Sequence, residues 1–217
     1  MGFIEPDLNF LKELRNLCTK NETILIFDEV MTGFRVARGG VQELLGVTPD
    51  LTALGKIVGG GLPVGVYGGR AEIMNNISPD GPVYQAGTLS GNPIAVSAGT
   101  ALLKQLANTE IYTSMEENAK KFLNPIKKYA DEINIPFSFN VRGGMFGFFF
   151  SNSLPQNFDD VQKTDIELFS KFFRKMLEKN IYLPPSAYES CFISTLHDED
   201  KMLKAAKLAK ESLKEIK

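Results

Sequence analysis

Short helical and extended segments alternate along the first half of the chain. Apolar residues recur with helical spacing up to Cys18, and Pro6 suits the first turn of that helix. Residues 23–27 form an almost wholly apolar, β-branched run, which is typical of a strand buried on both faces of a parallel sheet. Runs at residues 51–54 and 64–67 predict two further strands. The pattern therefore favours an α/β domain, which we place at residues 1–106.

From residue 110 onward the pattern changes to longer, lysine-rich amphipathic segments. It predicts a helix over residues 111–129, with a kink or break at Pro125. We then expect a hairpin of two aromatic-rich strands at residues 137–141 and 145–151, followed by a helix with a phenylalanine stripe at residues 166–181. A last strand is expected at residues 192–196 and a terminal helix from about residue 198. These elements indicate an α+β domain with a mainly antiparallel sheet, which we place at residues 107–217.

Composition narrows the classes of partner. The chain has 217 residues, 43% of them hydrophobic, and its formal net charge of -2 gives no electrostatic footprint for nucleic acid. No apolar run approaches the ~20 residues that span a bilayer, and no secretory signal is apparent at the start. We therefore expect a soluble, cytoplasmic protein without a nucleic-acid or membrane partner. Cys18 and Cys191 cannot form a disulfide framework, and we expect both to be buried, reduced thiols.

Candidate chemistry lies at the ends of the first two predicted strands. Asp28 and Glu29 end the first apolar run, and Lys56 follows the second. Ligands gather at the carboxyl ends of strands in open α/β sheets, although acids there also cap turns. Neighbouring strand residues point to opposite faces, so only one of the two acids is expected to face a ligand. The pattern leaves open which one does.

Two glycine-rich loops accompany these residues. Gly59, Gly60 and Gly61 allow either the close approach of a ligand or a turn through positive φ. In the segment QAGTLSGNP, residues 85–93, Asn92 and Pro93 are typical of the start of a helix. The hydroxyl groups of this loop, beside a helix start, suit a phosphate group.

Together these features suit pyridoxal 5′-phosphate. A lysine that is partly desolvated in a glycine-lined crevice presents a neutral amine to an aldehyde, and a nearby carboxylate holds a pyridine nitrogen protonated. The Gly-Lys pair lacks the spacing of a nucleotide-binding phosphate loop. The single histidine, His197, has no metal-ligand partners at helical spacing, so no metal site is expected.

Four segments carry a resemblance to a known family: LIFDEVMTGFRVARGG, TPDLTALGKIVGGGLPVGVYGGR, YQAGTLSGNPIA and PPSAYESCFISTLH. With them the chain resembles the glutamate-1-semialdehyde 2,1-aminomutases, which are class III aminotransferases of fold-type I. The resemblance implies that residues 1–106 are the C-terminal part of a pyridoxal-phosphate-binding large domain with a mostly parallel sheet. Residues 107–217 then form the small α+β domain.

The resemblance also implies roles for individual residues. Lys56 matches the lysine that binds the cofactor covalently and shuttles protons, and Asp28 matches the partner of the pyridine nitrogen, which leaves Glu29 a structural role. Gly87 and Thr88 match a cofactor-phosphate contact from the neighbouring subunit of a homodimer. Glu189 matches a glutamate that faces the pocket of the small-molecule substrate. The implied cofactors are pyridoxal 5′-phosphate and pyridoxamine 5′-phosphate.

The family reaction is an isomerisation of glutamate-1-semialdehyde to 5-aminolevulinate in porphyrin biosynthesis. The alternative is a class III ω-amino-acid transaminase, a group that tends to carry Gln where this chain has Met31 and FGGNP where it has LSGNP; both differences favour the mutase. Family members extend well beyond this chain at the N-terminus. A second hypothesis is therefore a non-catalytic C-terminal fragment that needs the missing N-terminal half.

Overall fold

The computed structural model describes residues 1–216 and divides the chain into two compact units. We call Asp7–Thr109 the N-terminal unit. Met1–Pro6 and the chain from Glu110 onward make up the C-terminal unit. The segment Met1–Pro6 thus clusters with the second half of the sequence, whereas the sequence pattern assigned it to the first domain. None of the described helices is long and apolar enough to cross a membrane.

The N-terminal unit is an α/β unit built around a three-stranded sheet. Its elements in chain order are α1 (Leu8–Lys20), β1 (Ile26–Glu29), α2 (Gly40–Leu45), β2 (Leu51–Leu54), a 3-10 turn (Lys56–Gly59), β3 (Val66–Gly69), α3 (Ala71–Met74) and α4 (Pro93–Gln105). The sheet order is β1-β2-β3, with β1 parallel and β3 antiparallel to β2. All three predicted strands are present, shifted by up to three residues.

One face of this sheet is open. Ile26 on β1 is 58% exposed, and Asp28, two residues on, is exposed beside it, while Leu25 is buried. Asp28, Ala53 and Tyr67 lie side by side in the register, and Tyr67 is 45% exposed. The prediction of a strand buried on both faces is therefore wrong for the described chain, because no element among residues 1–216 covers this face of β1.

A buried carboxylate holds the other end of the strands. Asp50, just before β2, accepts hydrogen bonds from the Leu25 backbone N–H at 2.7 Å and from Arg15 on α1 at 2.7 Å. Arg70, just after β3, donates to the second carboxylate oxygen at 2.8 Å. One side chain thereby connects α1 and all three strands, which fixes their register from the end opposite Lys56.

The C-terminal unit packs helices on a second sheet. Its elements are α5 (Glu110–Glu132), β4 (Ser138–Arg142), β5 (Met145–Phe149), α6 (Phe158–Gln162), α7 (Ile166–Glu178), β6 (Cys191–Phe192) and α8 (Glu199–Ile216). The strands pair antiparallel, as predicted, and their order is β4-β5-β6; β6 has only two residues. The core between sheet and helices is a cluster of aromatic rings: Phe137, Phe148, Phe150, Phe169 and Phe172.

Helix α5 continues through Pro125, so of the predicted kink or break the break is not observed. Proline removes one intrahelical hydrogen bond, but the apolar face of α5 is buried on both sides of it, at Phe122, Leu123 and Ile126. The packing of that face keeps the two halves of α5 in one helix. At the start of the chain, the Gly2 N–H donates to the Tyr188 carbonyl oxygen at 2.7 Å and ties Met1–Pro6 to this unit.

Candidate active site

Asp28 and Lys56 lie at the carboxyl ends of neighbouring parallel strands. Asp28 on β1 pairs with Ala53 on β2, and Lys56 follows two residues after β2 ends. At about 3.3 Å per extended residue, the Lys56 backbone lies roughly 10 Å beyond the level of Asp28. Both side chains therefore belong to the same edge of the sheet, where ligands of α/β folds bind.

The two adjacent acids have opposite environments. Asp28 is exposed, and one carboxylate oxygen accepts a hydrogen bond of 3.0 Å from the Val30 N–H. Its other oxygen has no protein donor among residues 1–216. Glu29, in contrast, is only 2% exposed. Of the two, only Asp28 presents a carboxylate oxygen to the open face.

Glu29 is surrounded by donors from its own unit. Its carboxylate accepts from the Thr32 hydroxyl at 2.7 Å, the Val41 N–H at 2.8 Å and the Gln42 N–H at 3.0 Å. The Gln42 side chain donates to it at 3.3 Å and to the Thr52 hydroxyl on β2 at 3.2 Å. Sequence reasoning did not find Thr32 or Gln42, because nothing local to these residues indicates a partner on β1.

Lys56 adopts an unusual backbone conformation. Its φ is +50°, in the left-handed region that residues with a side chain rarely occupy, and it opens the 3-10 turn Lys56–Gly59. The side chain is exposed, so the partial desolvation expected from the sequence is not observed. The reason is the open face of the sheet, which leaves the lysine without a covering element among the described residues.

Among the glycines after Lys56, Gly60 packs against helix α4. A Cβ at Gly60, whose φ is +60°, would lie 2.5 Å from the Ala98 carbonyl oxygen on α4. A Cβ at Gly99 would lie 2.2 Å from the Val58 carbonyl oxygen. Only glycine permits so close an approach of the two backbones. Of the two interpretations of the glycine run, the positive-φ turn is observed at Gly60 and Gly61, and it holds α4 beside the Lys56 turn.

The loop before α4 contains Gly87 and Thr88. The Ser90 N–H donates to the Gly87 carbonyl oxygen at 2.9 Å, and Thr88 is exposed with no partner for its hydroxyl among the described residues. Asn92 caps α4, as predicted, by accepting from the Ile94 N–H at 3.0 Å and the Ala95 N–H at 3.2 Å. These helix-start amides are therefore already satisfied, and the donors left for a phosphate are the hydroxyl and the amides of the loop itself.

Glu189 belongs to the C-terminal unit, whereas the other predicted site residues belong to the N-terminal unit. It is exposed in the turn before β6, and its N–H donates to the Ser186 carbonyl oxygen at 3.1 Å. A pocket of about 590 Å³ in the same unit is lined mainly by apolar side chains, among them Phe122, Leu183 and Met202. Its lining includes none of the predicted site residues.

Comparison with known proteins groups this chain with one family. The sequence profile described as aminotransferase class-III matches residues 1–198. A glutamate-1-semialdehyde 2,1-aminomutase of Desulforapulum autotrophicum is 50% identical over 202 residues, which are 93% of this chain and 47% of that protein. The protein of the same name from Polynucleobacter necessarius is 46% identical over 216 residues, covering 100% of this chain and 50% of that protein.

The fold is also that of solved aminotransferases. A β-phenylalanine aminotransferase from Variovorax paradoxus has a TM-score of 0.87 at 27% identity, over 97% of this chain and 48% of that one. The chain thus has an α/β fold that matches fold-type I pyridoxal-phosphate aminotransferases over about half their length. It likewise spans about half the length of the curated relatives that it matches.

Proposed function

Because the chain belongs to the class III aminotransferase family, we propose that it acts as a pyridoxal-phosphate-dependent aminomutase, which converts glutamate-1-semialdehyde into 5-aminolevulinate for tetrapyrrole biosynthesis. The observation that most supports this proposal is the position of Asp28 and Lys56 at one edge of two parallel strands. The identity of 46–50% to proteins named as this aminomutase supports the choice of substrate.

The chemistry of the side chains at this edge fits the cofactor. The amine of Lys56 is exposed and has no ion-pair partner within the described chain. Asp28 presents an oxygen without a protein donor at the same edge. This amine and this carboxylate are the groups that the aldehyde and the pyridine nitrogen of one cofactor require. The exposed hydroxyl of Thr88, in the loop before α4, is a separate group that suits a phosphate.

Pyridoxal phosphate, when bound, supplies an aldehyde that links covalently to amines and a protonated ring that withdraws electrons from the adjacent carbon. Lys56 would hold this aldehyde through its amine, and once that amine is free it would carry a proton between the two substrate carbons. Asp28 would accept a hydrogen bond from the pyridine nitrogen and keep its proton in place. Overall, the amino group moves from carbon 2 to carbon 1 of the substrate, so no keto acid is consumed.

The remaining residues bind and orient. We assign Thr88 and the backbone at Gly87 to the cofactor phosphate of a second copy, which makes the active protein a homodimer with shared sites. Glu189 contributes to the substrate pocket in this proposal. The capped start of α4 supports a phosphate contact through the Thr88 hydroxyl and loop amides, because the Ile94 and Ala95 amides are occupied by Asn92.

Two other functions remain candidates, each with its own observation. A class III ω-amino-acid transaminase is favoured by the fold likeness to the β-phenylalanine aminotransferase, with its TM-score of 0.87. A non-catalytic fragment is favoured by the open face of the sheet, where Ile26 is 58% exposed, since an uncovered apolar face favours association with a missing half.

Labelling of Lys56 tests whether this chain binds the cofactor. The protein is mixed with pyridoxal phosphate, reduced with borohydride and digested for mass spectrometry. We expect the pyridoxyl group on Lys56 in the wild type and in the control K104A, which lacks another exposed lysine of the N-terminal unit, and its absence in K56A. An unmodified Lys56 in the wild type would reject the competent enzyme and favour the fragment.

Product analysis separates the two enzymes. With glutamate-1-semialdehyde as the only substrate and no keto acid, the mutase produces 5-aminolevulinate in repeated turnovers. A transaminase stops after one turnover and resumes only when a keto acid is added. Multiple turnovers without a keto acid are expected here; their absence, combined with rescue by a keto acid, would assign the protein to the transaminases.

A further inference from the structure

Glu29 is a buried acid next to Asp28, and its carboxylate accepts several hydrogen bonds. Every hydrogen bond to its carboxylate comes from the segment that follows β1, namely from Thr32, Val41 and Gln42. Its backbone carbonyl oxygen accepts from the Gly33 N–H at 2.8 Å. The chain after β1 therefore folds back over Glu29 and is held by both its side chain and its backbone.

Two glycines make this enclosure possible. A Cβ at Gly40, where φ is +70°, would lie 2.2 Å from a carboxylate oxygen of Glu29. A Cβ at Gly33 would lie 2.8 Å from the Glu29 carbonyl oxygen. The loop can approach the acid so closely only because these positions carry no side chain.

The enclosure also reaches β2. The Gln42 side chain bridges Glu29 and the hydroxyl of Thr52, whose residue pairs with Phe27 in the parallel register. Glu29 thus fixes the end of β1 relative to the strand that leads to Lys56.

We propose that Glu29 is a positioning residue that keeps Asp28 on the open face of the sheet, at the edge it shares with Lys56; this rests on the function proposed for Asp28. Neighbouring strand residues point to opposite faces, so the burial of Glu29 directs Asp28 outward. A rotation or one-residue slip of β1 would reverse both side chains and break all four hydrogen bonds to Glu29. The Asp28 carboxylate, held in this orientation, accepts from the Val30 N–H.

Amide hydrogen exchange at Val30 reports the orientation of Asp28 directly, because Asp28 is its acceptor. In E29Q one acceptor oxygen becomes an NH2 group that faces donors, so at least the contacts to one carboxylate oxygen are lost. D28A gives the exchange rate without the acceptor. E43Q is the matched control, since Glu43 accepts from the Gly39 N–H in the same loop without contacting β1.

We expect Val30 exchange in E29Q to rise about fivefold, toward the rate in D28A, as the loss of one hydrogen bond predicts. The rate in E43Q should stay at the wild-type value. The Arg70 amide, which donates to the Asp50 carbonyl oxygen at the other end of β2, is the internal reference and should not change. Equal acceleration at Val30 and Arg70 would mean a merely structural role, and a wild-type rate at Val30 would reject any role for Glu29 in orienting Asp28.

If E29Q does not fold, T32V carries the same test, because it removes a single donor to Glu29; an increase at Val30 of about threefold, with Arg70 unchanged, is then expected. The exchange measurement needs no cofactor. A failure to label Lys56 would therefore reject the proposed function while the comparison of Val30 with Arg70 still decides the role of Glu29.

Discussion

The carboxylate of Asp50 lies 2.7 Å from the guanidinium of Arg15, although 35 residues separate the two positions. The hydrogen bond from the Leu25 N–H and those from Arg70 and Arg15 hold the pKa of the Asp50 carboxyl well below its usual range. An acid whose pKa is lowered by folding contributes stability that is complete above its unfolded pKa, about 3.9, and is lost as the pH falls toward the folded value.

The first prediction follows from the direction of this pKa shift. From neutral pH down to about 4 the contribution of Asp50 is constant, and below about pH 4 it declines. D50N should be less stable than the wild type at pH 7 and should lose less stability between pH 4 and pH 2. Thermal unfolding followed by circular dichroism across this range measures both effects. E13Q changes an exposed residue on the same helix as Arg15 and should lose as much stability as the wild type between pH 4 and pH 2. If D50N also lost as much as the wild type over this range, the prediction would be contradicted.

A second prediction concerns the contact of the Lys56 turn with α4. G60A places a methyl group 2.5 Å from the Ala98 carbonyl oxygen at a φ of +60°, whereas G61A is strained only by its φ of +93° and meets no atom within 4 Å. We expect G61A to cost about 1 kcal/mol of unfolding free energy and G60A about 1–3 kcal/mol more. Urea unfolding gives both values, provided that the slope of unfolding free energy against urea concentration is the same in the two variants. Equal costs would mean that the close approach to α4 is absent in solution.

The third prediction tests the left-handed backbone of Lys56. Both K56G and K56A lack the amine, and both should prevent cofactor labelling. Because glycine adopts a φ of +50° without strain, K56G should exceed K56A in unfolding free energy by about 1 kcal/mol. At Lys12, inside α1, the order should reverse, with K12G about 1 kcal/mol less stable than K12A. The same order at both positions would contradict the observed conformation of Lys56.

A fourth prediction concerns the aromatic core of the C-terminal unit. Phe148 is 5% exposed and contacts the rings of Phe137, Phe169 and Phe172 at centroid distances of 5.6–5.8 Å. F148A should cost about 3–5 kcal/mol, because it removes a buried ring and leaves a cavity. Phe158, which is 47% exposed, is the matched control, and F158A should cost about 0.5 kcal/mol. Comparable costs in chemical unfolding would place the core elsewhere.

Local signals in the sequence were sufficient where neighbouring residues determine the structure. Asn92 and Pro93 predicted the start of α4, because a cap and a first-turn residue act within four positions. The apolar spacing predicted a terminal helix from about residue 198, and α8 begins at Glu199. The placement of Asp28 and Lys56 at strand ends was also predictable, since it needs only the two apolar runs that precede them.

Other features depend on distant residues and could not be predicted. The helical spacing of α7 favours Phe173 on the buried face, whereas the structure buries Phe172, because Phe172 packs against Phe148 and Phe150. The exposure of Lys56 depends on what covers the sheet, which the composition of β1 cannot reveal. The partners of Glu29 and Asp50 come from up to 35 positions away, without a local motif that marks them.

The hydrogen bond between Gly2 and the Tyr188 carbonyl oxygen has a consequence for the rate of folding. Met1–Pro6 belongs to the C-terminal unit, and the chain returns to that unit only at Glu110, so all of Asp7–Thr109 lies in sequence between two segments that pack together. Contacts between residues so far apart in sequence slow folding, because a long stretch of chain must be closed into a loop before they form. The C-terminal unit is therefore expected to complete its packing more slowly than its antiparallel hairpin and long helices alone would allow.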